Sequence, residues 1–243
     1  MTEQAQAPRE PEQEGPRDFV RYTFLRLRPE WRRNPPQERE DGRRSLVEVL
    51  THPPEDLSLG TFSLVGTKAE VHGLLWMVSP RLESFQELEA KIWGTPLGGY
   101  LEVPYSFLGM GRRSEYLEGH VHGGHEGGRL TLGTKRYLFV YPFVKKREWY
   151  GLPFPERRRI MGEHFRIGHR FPDVEIHTGY SFGIDDPEFI LAFGSDEPRD
   201  FLDLVQALRV TEASRYTELE TPIFTCLAVD PSRMLELADG LSR

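Results

Sequence analysis

The sequence predicts an α+β fold in which two ferredoxin-like units, fused in one chain, form a dimeric α+β barrel. Three observations carry this expectation: a repeat at fixed spacing, strand and helix signals in the same order, and a glycine-rich stretch between the copies.

The repeat comes first. Glu30-Trp31 is followed by Pro35 and Glu38-Arg39, and Glu148-Trp149 is followed by Pro153 and Glu156-Arg157 at the same spacings. The offset is constant (149 − 31 = 118, 156 − 38 = 118) and pairs Ser63 with Ser181 and Glu70 with Glu188. After a slip of two residues, Phe85 and Leu88 fall opposite Phe201 and Leu204.

The element order is clearest in the second copy. Residues 136–143 form a β-rich apolar run. Pro155 and Glu156 suit the first turn of a helix that runs to Gly168, with Phe171-Pro172 as its stop. Val174 to Phe182 and Glu188 to Phe193 make two strands around the turn Ile184 to Pro187. Pro198 and Asp200 open a second helix with Phe201, Leu204, Val205 and Leu208 on one face. A last strand covers Thr221 to Leu227, completing a βαββαβ order. The implied boundaries are a disordered tail over 1–17, a first unit over 18–96, a glycine-rich connection over 97–133, and a second unit over 134–243.

Composition narrows the function classes. The 243 residues are 38% hydrophobic and 28% charged, as in ordinary globular chains. No apolar run is long enough to span a membrane. The first seventeen residues lack the apolar stretch of a secretory signal. One cysteine, Cys226, allows no intrachain disulfide and suits a reducing cytoplasm. A net charge of −7 argues against a general nucleic-acid binder.

One histidine stands out. In the predicted helix 155–168 the core-facing stripe is Ile160, Met161, His164, Ile167 and Gly168. At the 118 offset, His164 falls opposite Leu46. Two readings fit: a buried histidine with a hydrogen-bond partner, or a neutral imidazole serving as axial ligand to an iron porphyrin. Tyr141 and Lys145 lie four apart near the end of the preceding strand, and His177 alternates in phase with Glu175 and Gly179. Glu212 follows the second helix, placed to accept the other ring N–H of His164. Each also reads as ordinary structure: a sheet tyrosine, a solvated strand end, a surface carboxylate. Phe139, Phe143, Trp149 and Tyr150 read as core or as the lining of a macrocycle. His120, His122 and His125 lie among glycines without a recognised zinc spacing and read as a polar loop.

The stretch 141–150, then Leu152-Pro153 and Glu156-Arg157, resembles the pattern of the chlorite dismutase superfamily, in its coproheme decarboxylase branch. The similarity continues through residues 163–169, 178–189, 208–212 and 216–226. The resemblance implies the duplicated ferredoxin-like barrel and a homo-oligomer, commonly a ring of five. It implies His164 as the proximal iron ligand and Glu212 as the acid that orients it. It further implies Tyr141 as a radical-forming tyrosine and Lys145, Arg129 and Thr221 beside porphyrin propionates. His177 falls at the distal position, where relatives carry arginine or glutamine, which disfavours chlorite chemistry and makes His177 the candidate proton acceptor. The implied reaction is hydrogen-peroxide-dependent conversion of iron coproporphyrin III to protohaem. A broad haem peroxidase or chlorite dismutase-like enzyme, and a non-catalytic haem carrier or sensor, are the alternatives.

Overall fold

The computed structural model describes residues 16–112, 114–116 and 129–241. The first half runs β1 (Phe19–Leu27), α1 (Pro36–Thr51), β2 (Ser58–Ser63), β3 (Gly73–Ser79), α2 (Leu82–Trp93) and β4 (Leu101–Met110). The second runs β5 (Tyr137–Lys145), α3 (Arg147–Gly151), α4 (Phe154–Gly168), β6 (Glu175–Tyr180), β7 (Phe189–Ser195) and α5 (Pro198–Arg209), then β8 (Thr217–Leu219), β9 (Phe224–Ala228) and α6 (Pro231–Asp239).

Within the sheet the first half has the order β4-β1-β3-β2 and the second β9-β5-β7-β6. Each is the arrangement of a βαββαβ unit. β2 pairs with β9 and β4 with β6, so eight antiparallel strands form one closed ring. Closure gives each strand one face toward the ring interior and one toward the helices. The interior holds Tyr22, Phe24, Leu74, Trp76, Val140, Ala192 and Phe224 in a single apolar cluster.

The repeat extends to element boundaries. β1 and β5 begin 118 apart (137 − 19 = 118), as do α1 and α4 (154 − 36 = 118). β3 and β7 are 116 apart (189 − 73 = 116), as are α2 and α5 (198 − 82 = 116). Strand registers refine the sequence pairing. Gly73 and Phe189 hold equal places opposite Leu25 and Phe143, so the slip is complete before Glu188. The structural counterpart of Glu188 is therefore His72, not Glu70, and Ser63 corresponds to Tyr180 rather than Ser181.

Three expectations change. The stretch 97–133 contributes β4, the strand that completes the first unit, because its alternating residues pair along β1. The last strand starts at Phe224, after a cis Thr221-Pro222 bond. The helix α6 follows it, capped by Asp230 and burying Met234 and Leu235 against the first half. Of the expected tail over 1–17 all but residues 16 and 17 lie outside the described residues, as do the three loop histidines.

Candidate functional site

The repeat supplies an internal control for the second half. In the first half, Leu46 on α1 is buried in one cluster with Leu25 of β1 and Leu75 of β3, which seals helix to sheet. The counterparts in the second half are His164, Phe143 and Leu191, and none is fully buried. Of the predicted α4 stripe only Ile160 is buried, beside Trp149 and Ala213; Met161, His164, Ile167 and Gly168 are half-covered. Phe143 and Leu191 instead border a separate cluster under α5 that contains Phe139, Tyr141, Phe193 and Phe201. Among the described residues, no apolar cluster joins the His164 face of α4 to β5 and β7. The apolar seal of the first half has no counterpart in the second among the described residues.

Chemistry gathers at that place. Among the described residues, neither ring nitrogen of His164 has a hydrogen-bond partner, and the ring lies edge-on to Phe165 at 5.9 Å. Burial, and secondarily the Lys145 charge, lower the His164 imidazole to about 4. At neutral pH it keeps a free lone pair, as a metal requires of an imidazole.

Lys145 ends β5 at a register irregularity after Val144, where the strand turns into α3. Its side chain is buried with the ammonium over the Trp149 ring at 4.7 Å, and Nζ donates to the Ala213 carbonyl at 3.3 Å. Burial lowers it to about 8 despite the opposing Glu188 charge. An ammonium has three donors. No described carboxylate ion-pairs with this one, so it is suited to an anionic ligand.

Tyr141 lies on the same β5 face, two and four residues before Phe143 and Lys145. It is buried and stacked on Phe193 at 5.9 Å, and burial followed by the Glu220 charge raises its phenol. The structure thus brings Tyr141, Lys145 and His164 to the helix-covered side of the second half.

It does not bring the other candidates there. His177 pairs across the ladder with Ala192, which pairs with Val140, and both belong to the ring interior. Residues directly opposite share a face. His177 therefore points away from Tyr141, with its ring 4.9 Å from Trp76 and Nε2 3.5 Å from Glu175. Thr178, on the same rung as Leu191 and Tyr141, occupies the β6 position on the helix side. Glu212 accepts from Arg159 at 2.8 Å, and its backbone N–H donates to Glu163 at 3.3 Å; it makes no bond to His164. Arg129 ion-pairs with buried Asp18 at 2.9 Å, which also accepts the Leu130 N–H. Thr221 is exposed. Of the aromatic candidates, Phe143, Trp149 and Tyr150 border the Lys145 end, and Phe139 lies under α5, stacked on Phe201.

Sequence reasoning missed Glu188. It is buried at the start of β7 and accepts the Lys145 backbone N–H at 2.8 Å and the Tyr150 hydroxyl at 2.6 Å. Its signal was faint, because the acceptor role exists only once β5 and β7 are in register.

A duplicated βαββαβ protein with a neutral, solvent-shielded histidine where its other half places a core leucine is a ligand-binding α+β protein. Residues 37–229 match the chlorite dismutase family model, and the chain belongs to the chlorite dismutase family. It is 34% identical over 170 residues to a coproheme decarboxylase of Mycolicibacterium smegmatis, covering 68% of this chain and 71% of that protein. A chlorite dismutase variant from Candidatus Nitrospira defluvii superposes with a TM-score of 0.83 at 20% identity, covering 93% of this chain and 96% of that one. A heme-binding protein from Thermus thermophilus superposes with a TM-score of 0.81 at 24% identity, covering 92% of this chain and 95% of that one. Among the described residues, no helix is long and apolar enough to cross a membrane.

Proposed function

We propose that this chain binds iron coproporphyrin III through His164 and, with hydrogen peroxide, converts it to protohaem. The observation that carries this is the missing apolar seal, where His164 stands at the position that Leu46 fills in the first half. The residues fit the group: a neutral imidazole for iron, half-buried apolar walls for a macrocycle, and a buried ammonium for a propionate. The named relative of M. smegmatis supports the same choice.

The iron porphyrin, when bound, supplies the redox chemistry with peroxide. His164 holds the iron and, being neutral, loses no proton on binding. Lys145 holds a propionate by a charge-assisted hydrogen bond, with Trp149 and Phe143 excluding water. Tyr141 gives up an electron and its phenolic proton, then takes a hydrogen atom from a propionate methylene. Loss of a second electron releases the carboxylate carbon as carbon dioxide and leaves a vinyl group. For each propionate the balance is one peroxide and one proton consumed, and one carbon dioxide and two waters released. His177, on the other sheet face, takes no part in this reading. Arg129 is held by Asp18, Thr221 is exposed and Glu212 is held by Arg159, so none of the three is assigned a contact in this reading. A homo-oligomeric ring and a cytoplasmic location belong to the same reading.

The test is to add iron coproporphyrin III and peroxide and follow product masses. Stepwise loss of two carboxyl groups is expected. Tight binding without any mass loss overturns the decarboxylase reading in favour of a carrier.

A further inference from the structure

The two halves cap one equivalent backbone group in different ways. Leu27 ends β1 and Lys145 ends β5, at equal places (145 − 27 = 118). In the first half the Leu27 N–H donates to His72 Nδ1 at 3.0 Å. In the second, the Lys145 N–H donates to Glu188 Oε2 at 2.8 Å. His72 and Glu188 are themselves equivalent (188 − 72 = 116), each immediately preceding the strand that pairs alongside. Where the strand end carries an apolar side chain, the acceptor is an imidazole that burial and the nearby Arg32 charge hold below its ordinary value. Where it carries a lysine, the acceptor is a carboxylic side chain.

We propose that Glu188 is the positioning residue for Lys145: it pins the strand end and supplies the counter-charge that keeps the buried ammonium ready for a carboxylate ligand. The geometry separates these two duties from neutralisation. Glu188 Oε2 is occupied by the Lys145 backbone N–H and the Tyr150 hydroxyl, and Oε1 faces the exposed Arg147 at 3.5 Å. The carboxylate acts on the ammonium through space and occupies none of its donors, one of which goes to the Ala213 carbonyl. Without that field, burial alone would push Lys145 toward its neutral form. The groups coupled to Lys145 are Glu188 from the β7 side and His164 from α4, while Arg147 and Tyr150 of α3 bear on Glu188 and Tyr216 packs on Trp149. Of these, Glu188 is the one carboxylic group. The role as a propionate site rests on the function proposed above; the Glu188–Lys145 coupling does not.

The experiment therefore has two arms on the full chain. In the first, ligand-free protein labelled with carbon-13 lysine is titrated by NMR, with the Lys145 signal assigned by its loss in Lys145→Met. Glu188→Gln removes the charge and keeps the acceptor shape, while Glu188→His copies the first half and guards against a variant that fails to fold. Both should lower the Lys145 midpoint by on the order of one pH unit. An unmoved midpoint in a folded variant overturns the proposal, since a purely structural role leaves the titration alone. In the second, metal-free coproporphyrin III is bound and followed by fluorescence. Affinity should fall on the order of tenfold in Lys145→Met, and its alkaline loss should start at lower pH in both Glu188 variants. Wild-type affinity in Lys145→Met sinks the propionate reading while the first arm still decides the role of Glu188.

Discussion

Leu46 and His164 hold the same place in two copies of one helix, 118 residues apart, and the copies differ in what that place seals. Leu46 is fully buried between α1 and the sheet, whereas His164 is half-covered with no hydrogen-bond partner among the described residues. Both helices carry proline in the first turn, followed by Glu-Arg at the same places, Glu38-Arg39 and Glu156-Arg157. The helix scaffold therefore does not require an imidazole, which points the substitution toward ligand binding rather than folding.

His164→Leu tests this directly, because it writes the first-half residue into the second. The ligand-free protein should stay folded and gain up to about 1 kcal/mol, as an unpartnered polar ring is replaced by an apolar one. The Soret band that marks axial ligation should vanish. A variant that retains the band would remove His164 as the ligand.

Lys145 gives a pH dependence with a fixed sign. Its folded midpoint of about 8 lies below the ordinary 10.5, so the unfolded chain binds more protons between those values. Stability of the ligand-free protein should rise with pH across that window. Below about pH 8 the buried charge carries its full cost, up to about 3 kcal/mol. Lys145→Leu, which copies Leu27, should raise stability at pH 7 and flatten the rise. Urea unfolding at pH 7 and pH 10 measures both, and equal wild-type slopes in the variant would refute the assignment.

Asp18 and Arg129 should behave unequally. Arg129 is 54% exposed, so Arg129→Ala should cost under about 1 kcal/mol. Asp18 is buried and accepts from both Arg129 and the Leu130 backbone, so Asp18→Ala should cost about 1–3 kcal/mol. Similar midpoints for the two variants in urea would show that the Leu130 contact contributes little.

Much of this architecture was legible because local signals repeat. Trp31 and Trp149, with the prolines after them, mark both helices, and the element boundaries follow the same 118 offset. The helix around His164 followed from its spacing, yet of the expected core-facing stripe only Ile160 is buried. His177 was placed in the right phase with Glu175 and Gly179, yet that phase belongs to the ring interior. Alternation fixes which residues share a face but not which face is inside, and both faces of a closed sheet under helices are apolar. The Glu212 partner was illegible because Arg159 reaches it only through the packing of α4 against residues 212–216. Glu188 was illegible for a similar reason, since its partners are set by strand pairing.

Tyr141 separates the reactions open to this site. Tyr141→Phe keeps the ring, its burial and its stacking on Phe193 at 5.9 Å, and removes only the phenolic oxygen. That oxygen makes no hydrogen bond to a described residue, so folding should change by less than about 1 kcal/mol, and porphyrin affinity by a similar amount. Peroxide-driven vinyl formation should instead fall by orders of magnitude, because phenylalanine is far harder to oxidise. A haem peroxidase acting on outside substrates, or a carrier, gives Tyr141 no such duty and predicts little change. Affinity for iron coproporphyrin III and the masses formed with peroxide should be measured together in both proteins. Near-normal decarboxylation by Tyr141→Phe would leave the reaction standing and remove this tyrosine from it. Lost decarboxylation with intact binding is the result the geometry of β5 leads us to expect.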